Sequence, residues 1–217
     1  MSAIILIPAR GGSKRVYNKN LRKLGGIPLV AHSIKTGLDM NLPTYISTES
    51  HEIARVATEY GARVIARPPD LATDAAGDDG VIRDALSVVP TDLVIYLRPT
   101  TPFRELDRVQ DALRLMSVTG YDSLRSVEEM SESAFKCFKI RAGLLQPLTR
   151  TDYTDRPNQE LPRTFHPNGY VDILRRSVVD SGGIWGAGRY AFITPRTVEI
   201  DTEEDFEYAK YYIERRN

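Results

Sequence analysis

Apolar positions in the first half of the chain follow two alternating rhythms. Residues 3–7 (Ala-Ile-Ile-Leu-Ile) form an unbroken apolar run of strand length, the pattern of a strand buried on both faces of a parallel sheet. From Pro28, Leu29, Val30, Ile34 and Leu38 recur at helical spacing, with proline at the start, where its missing N–H costs nothing. The alternation repeats: residues 44–48 and 63–66 read as strands, and 52–60 as a helix closed by Gly61. Residues 80–89 read as a helix ended by Pro90, 93–97 as a buried strand, and 106–116 as a helix whose apolar face is Leu106, Val109, Leu113 and Met116. Strands and helices in this order predict an α/β fold, a doubly wound and mostly parallel sheet with helices on both faces.

The rhythm breaks near Tyr121. Residues 123–127 and 135–140 have strand character, and Pro147, Pro157, Pro162 and Pro167 make a long helix there improbable. This stretch predicts a small β-rich lobe at about 125–175, inserted into a single domain of residues 1–217. A strand at 190–194 and a helix from about Thr202 close the chain. Thr202 and Asp205 have the spacing of a capping box, and Phe206, Ala209 and Ile213 form an apolar face. No internal repeat, low-complexity tract or linker interrupts the sequence.

Composition narrows the class. The 217 residues carry 29 Lys+Arg against 29 Asp+Glu, a balance that argues against a broad nucleic-acid surface. The longest apolar run is five residues, far short of the ~20 that a membrane span needs. Only Ser2 separates Met1 from that run, so no charged leader segment is expected, and the cytoplasm is the default compartment. Cys137 stands alone, which excludes an internal disulfide or a cysteine-rich zinc site. The Gly-rich segment 181–188 reads as a loop, and Tyr208, Tyr211 and Tyr212 as packing or surface residues.

Candidate chemistry sits where strands end. Ile7-Pro8-Ala9-Arg10-Gly11-Gly12-Ser13-Lys14-Arg15 follows the first strand, at the carboxyl edge where open α/β sheets bind ligands. Gly11 and Gly12 let backbone N–H groups curl towards an anion, and Arg10, Lys14, Arg15 and Lys19 add positive charge suited to a polyphosphate. The spacing matches neither the Walker A loop nor Gly-x-Gly-x-x-Gly, and a solvated basic turn is the alternative. Arg98, Thr100, Thr101 and Arg104 follow the 93–97 strand in a similar position. Glu199 and Asp201, two apart, would share one face of an extended segment and could hold Mg²⁺, which takes oxygen ligands and bridges to phosphates. Acidic residues ahead of a helix N-terminus are the other explanation of that pair.

The opening motif, with Asn18-Lys19-Asn20-Leu21, resembles that of the acylneuraminate (sialic acid) cytidylyltransferase family. The resemblance continues, in family order, through Ser47-Thr48-Glu49, Arg67-Pro68 with Leu71-Ala72-Thr73-Asp74, Arg98-Pro99-Thr100-Thr101-Pro102-Phe103-Arg104, Gln159-Glu160-Leu161-Pro162, Pro167-Asn168-Gly169 and Glu199-Ile200-Asp201-Thr202. It implies a nucleotide-diphospho-sugar transferase-like fold, a homodimer formed through the lobe, and transfer of CMP from CTP to the anomeric hydroxyl of a 2-keto sugar acid with release of pyrophosphate. Arg10, Gly11, Gly12, Ser13, Lys14, Lys19 and Asn20 would then surround the triphosphate, and Arg67 to Asp74 the cytidine. Arg98, Thr100, Thr101, Arg104, Gln159, His166 and Asn168 would face the sugar, and Glu199 with Asp201 the metal. Arg10, Lys14, Lys19 and Asp201 carry the reaction in this reading, with the proton accepted by a metal-bound hydroxyl or a substrate phosphate oxygen.

The sequence departs from the family on the acceptor side. Arg98 stands where Gln is usual, Asn158 where an Arg grips the sugar carboxylate, His166 where Arg is usual, and Glu49 and Glu199 where Asp is usual. Arg98 or Arg156 is a candidate replacement carboxylate clamp, because a guanidinium fork suits a carboxylate. Another nucleotide donor, a sugar 1-phosphate acceptor, or a catalytically silent nucleotide-binding protein are the competing readings.

Overall fold

The structure, a computed structural model, describes residues 1–73, 75–149 and 151–215. Its elements are β1 (Ala3–Pro8), β2 (Lys23–Leu24), β3 (Ile27–Pro28), α1 (Leu29–Asp39), β4 (Thr44–Thr48), α2 (His51–Glu59), β5 (Arg63–Ala66), α3 (Asp78–Val88), β6 (Leu93–Tyr96), α4 (Leu106–Val118), β7 (Ser123–Glu129), β8 (Phe138–Arg141), β9 (Leu144–Pro147), β10 (Phe165–Arg175), α5 (Arg176–Asp180), β11 (Arg189–Ile193) and α6 (Glu203–Glu214). Seven strands form one sheet in the order β11-β7-β10-β6-β1-β4-β5. β1 pairs in parallel with both β4 and β6, β4 with β5, and β7 with β11, while β10 runs antiparallel to β6 and β7.

The continuous apolar run of β1 divides cleanly between two cores. Ile5 and Ile7 pack with Val30 and Ile34 of α1, Ile53 and Val56 of α2, and Val109 and Met116 of α4. Ile4 and Leu6 pack on the opposite face with Ile82, Ala85 and Leu86 of α3 and Val179 of α5. Alternating side chains on a strand covered from both sides make both parities apolar, and each buried aliphatic side chain contributes ~1.5–3 kcal/mol. A third cluster, Val16, Leu24, Leu29, Ile200, Phe206 and Ala209, ties the loop after β1 to α6.

β10 is the main departure from the sequence-based expectation. It is an eleven-residue strand between β6 and β7, so residues 123–129 and 165–175 belong to the main sheet, and the inserted segment lies between them. Pro167 and the left-handed Gly169 (φ 66°) hid it, and the pairing with β7 shifts register between Pro167 and Asp172. Within the insertion, β8 and β9 form a hairpin, and residues 134–136 form a short 3₁₀ turn rather than the start of a strand. The capping box at the start of α6 forms as its spacing predicts.

The strand order fixes where a ligand can sit. From β1 the chain moves outward to β4 and β5, then crosses back to β6 on the other side of β1. Connections leaving β1 and β6 therefore diverge and open a crevice beyond their carboxyl ends.

Candidate active site

That crevice is a cleft of about 380 Å³, walled by the segments after β1 and β6, the approach to α3, and residues 199–201. The loop after β1 contributes Arg10, Ser13, Lys19 and Asn20. Two contacts shape it. Asn20 Nδ2 donates to the Arg10 carbonyl at 2.9 Å, and the Gly11 N–H donates to Glu49 Oε1 at 2.7 Å. Glu49 follows β4, so the neighbouring strand end holds the basic loop in place.

The distant carboxyl-terminal segment closes the cleft from the other side. Lys19 Nζ donates to the Ile200 carbonyl at 2.9 Å and lies 3.2 Å from Asp201 Oδ1. Arg22 reinforces the junction, with Nη1 at 2.5 Å from Glu203 and its guanidinium 3.9 Å above the Phe206 ring. Residues 199–201 are in no strand ladder, yet they alternate as an extended segment should. Ile200 is fully buried against α6, while Glu199 and Asp201 both face the cleft. Burial, with the Asp201 charge adding to it, raises the Glu199 pKa above the usual carboxylate value. An acidic pair under mutual repulsion favours a cation between its members.

The segment that the resemblance assigns to the cytidine opens with an arginine turned into the protein. Arg67 is buried, donating to Ser47 Oγ at 3.0 Å and to the Ser47 carbonyl at 2.7 Å. Burial lowers its pKa, which Tyr96 and Glu49 partly oppose. Leu71, Thr73, Ala76 and Gly77 complete this wall. Asp74 lies outside the described residues.

Beyond β6, Arg98 and Thr100 line the cleft. Arg98 Nη1 lies 2.5 Å from Asp172 Oδ2, Nη2 lies 2.6 Å from Asp78 Oδ2, and the guanidinium sits 5.0 Å from the Tyr96 ring centroid. Burial works against its charge, but the two carboxylates outweigh that and raise its pKa above the ordinary arginine value. Burial raises the Asp172 pKa above the ordinary carboxylate value, and Arg98 and Arg125 oppose this only in part. Thr101 and Arg104 lie beneath the wall. Thr101 is buried against Asn168, and Arg104 donates to the carbonyls of Tyr170, Arg98 and Gly169 and to Ser33.

Other anticipated residues fall elsewhere. Gly12 and Lys14 belong to the loop but do not line the cleft, and Gly11 faces a small adjoining hollow with Ser50 and Ile53. His166 and Asn168 line a second cavity with Glu128, Arg196 and Thr197, which meets the main cleft at Glu199. Asn168 is buried there, donating to Glu128 Oε2 and Thr194 Oγ1. Gln159 and Arg156 are exposed on the insertion, where Arg156 lies 3.7 Å from Asp152 and stacks on Tyr153. Asp78 and Tyr96, joined at 2.8 Å, are cleft residues that no motif singled out; a buried tyrosine ending a strand was the available signal.

The cleft is thus a switch-point nucleotide-type site, basic on one wall and acidic on the other. Residues 4–142 match the family described as cytidylyltransferase. An N-acylneuraminate cytidylyltransferase from Escherichia coli is 29% identical over 222 residues, 99% of this chain and 52% of that protein. The CMP-N,N'-diacetyllegionaminic acid synthase of Legionella pneumophila is 38% identical over 157 residues, 68% of this chain and 67% of that protein. A solved CMP:2-keto-3-deoxy-manno-octonic acid synthetase, complexed with CTP, shares the fold over the full length of both chains, with TM-score 0.77 and 17% identity. The chain belongs to the acylneuraminate cytidylyltransferase family. It spans about half the length of the N-acylneuraminate cytidylyltransferases it matches.

Proposed function

We propose that the chain transfers CMP from CTP to the anomeric hydroxyl of a sialic-acid-like 2-keto sugar acid. The observation that carries this reading is the junction of Lys19 with Asp201, which sets a basic loop and a carboxylate pair around one cleft. The N-acylneuraminate cytidylyltransferase, the CMP-N,N'-diacetyllegionaminic acid synthase and the CMP:2-keto-3-deoxy-manno-octonic acid synthetase among the similar proteins support the donor and the acceptor class.

In the reaction, the anomeric oxygen bonds to the α-phosphorus of CTP, the bond from that phosphorus to the bridging oxygen breaks, and pyrophosphate leaves. Such transfers depend on positioning and charge more than on covalent help. Arg10, Ser13 and Lys19 face the polyphosphate, with Lys14 adding charge from the same loop. Arg67, pinned by Ser47, shapes the cytidine wall. A substrate phosphate oxygen takes the hydroxyl proton.

The donor set fits magnesium. Glu199 and Asp201 are hard oxygen ligands on one wall of the cleft and would hold the ion. Bound there, magnesium would supply charge that stabilises the departing pyrophosphate.

We place the enzyme in the cytoplasm, where CTP is available; no described helix is long and apolar enough to cross a membrane. A homodimer is proposed through the β8–β9 hairpin, which exposes Ile140 (76%), Leu144 (68%) and Leu145 (66%). Sedimentation should give twice the chain mass, falling to the monomer in Leu144→Asp; a wild-type monomer would refute the dimer. The catalytic test is pyrophosphate release with CTP, UTP, GTP or ATP against a panel of 2-keto sugar acids and sugar 1-phosphates. Turnover confined to CTP with a 2-keto acid is expected. Turnover only with another nucleotide or with a sugar 1-phosphate would replace this reading.

A further inference from the structure

The carboxylate of a 2-keto sugar acid is attached to the anomeric carbon itself, one bond from the carbon whose hydroxyl reacts. Whatever reads that carboxylate must stand beside the Glu199–Asp201 wall. Arg98 is a guanidinium placed there on the cleft side, whereas Arg196 meets Glu199 from the adjoining cavity. Gly169 shows the closeness: a Cβ on it would lie 3.4 Å from Arg98 Cδ and 3.8 Å from Glu199 Oε1. Arg10 and Lys19 belong to the loop after β1, Arg67 is spent on Ser47, and Arg196 and His166 line the adjoining cavity.

Both arms of the Arg98 fork already hold carboxylates, and the two differ. Asp172 is 1% exposed and lies in the middle of β10, beneath the site. Asp78 is 40% exposed, stands at the first residue of α3, and faces the cleft. Asp78 also has a second partner, the Tyr96 hydroxyl at 2.8 Å, so it keeps a hydrogen bond if Arg98 turns away. One arm is therefore an anchor and the other is exchangeable.

We propose that Arg98 receives the acceptor's carboxylate on the arm facing Asp78, and that Asp78 is a positioning residue which stands in for that carboxylate and is displaced by it. The inference rests on the functional reading above and adds to it the group that selects an acid over a neutral sugar. Asp78 keeps the fork aimed and neutralised, so the site presents a preset geometry rather than an unscreened cation. The cost is competition: every acceptor must displace an internal carboxylate.

The test is steady-state kinetics on the full chain with a 2-keto sugar acid that it turns over and with the carboxamide of the same sugar. Asp78→Asn removes the competitor's charge and should lower the acid KM roughly five- to tenfold, with a much smaller change for the carboxamide. Arg98→Gln should raise the acid KM by about a hundredfold and move the CTP KM much less. Because Arg98→Gln leaves buried Asp172 with Arg125 at 3.9 Å in place of its close partner, the Arg98→Gln, Asp172→Asn double variant is measured beside it, and CTP binding by calorimetry checks that each variant is folded. Equal effects of Asp78→Asn on acid and carboxamide, or a higher acid KM, would overturn the proposal. So would a loss of acid affinity in Arg156→Ala with none in the Arg98 variants. A wild-type chain that turns over no 2-keto acid with CTP removes the functional reading and this one with it, whereas normal wild-type turnover with an unresponsive Asp78→Asn removes this one alone.

Discussion

Gly11 and Gly12 look equivalent in the sequence and differ in the structure. Gly11 gives its N–H to Glu49, and a Cβ there would come within 3.0 Å of Ser50 Cβ, with Glu49 Oε1 at 3.4 Å. A Cβ on Gly12 would meet nothing within 4 Å. Gly11→Ala must therefore shift the loop or its Glu49 clamp, whereas Gly12→Ala need not. The expected outcome is a CTP affinity about tenfold weaker in Gly11→Ala than in Gly12→Ala, by calorimetry. Equal affinities would show that the Glu49 contact does not set the loop. Glu49 also shows what a motif conceals. Read against the family pattern it is a departure from Asp, and in the fold it is the carboxylate that holds the basic loop after β1.

α6 was legible in full because its information is local. Thr202 accepts from the Asp205 N–H at 3.2 Å, and Asp205 Oδ2 accepts from the N–H groups of Thr202 at 2.8 Å and Asp201 at 3.0 Å. Burial opposes the Asp205 charge, but these hydrogen bonds outweigh it and hold its pKa below the ordinary 3.8. A lowered folded-state value means that the carboxylate stabilises the fold above pH 3.8, and that this contribution disappears as pH falls through the folded-state pKa. Asp205→Ala should cost ~1 kcal/mol at neutral pH in urea unfolding, and the difference from wild type should shrink towards zero at the acid end. A difference independent of pH would contradict the capping role. β10 was illegible for the opposite reason. Its core run Tyr170–Leu174 contains Asp172, which looks wrong for a central strand until Arg98, 74 residues earlier, is placed against it. Asp78 was hidden in the same way at shorter range, its partners Tyr96 and Arg98 lying 18 and 20 residues further on. Pairings between remote residues leave no periodic trace, so the fold class could be read from the chain while the internal wiring of the cleft wall around Arg98 could not.

On the scale of the whole molecule, the decisive feature is the closure of the chain on itself. The loop after the first strand is fastened to the segment before the last helix by Lys19–Asp201 and Arg22–Glu203 and by the cluster around Ile200 and Phe206. The strand order places that closure over the crevice between β1 and β6, which is why motifs nearly 200 residues apart form one wall-to-wall site. Sequence order alone could name both ends as chemically interesting, and only the topology brings them together. The proposed division of labour is then testable: in it the amino-terminal loop would grip the polyphosphate directly, and the carboxyl-terminal pair would grip it through magnesium. Calorimetric titration of CTP with and without Mg²⁺ separates the two. Wild type should bind CTP more tightly with Mg²⁺, Arg10→Ala should weaken binding in both conditions, and Asp201→Asn should lose the magnesium-dependent gain while keeping the magnesium-free affinity. A full magnesium gain in Asp201→Asn would contradict a shared polyphosphate site between the two ends of the chain.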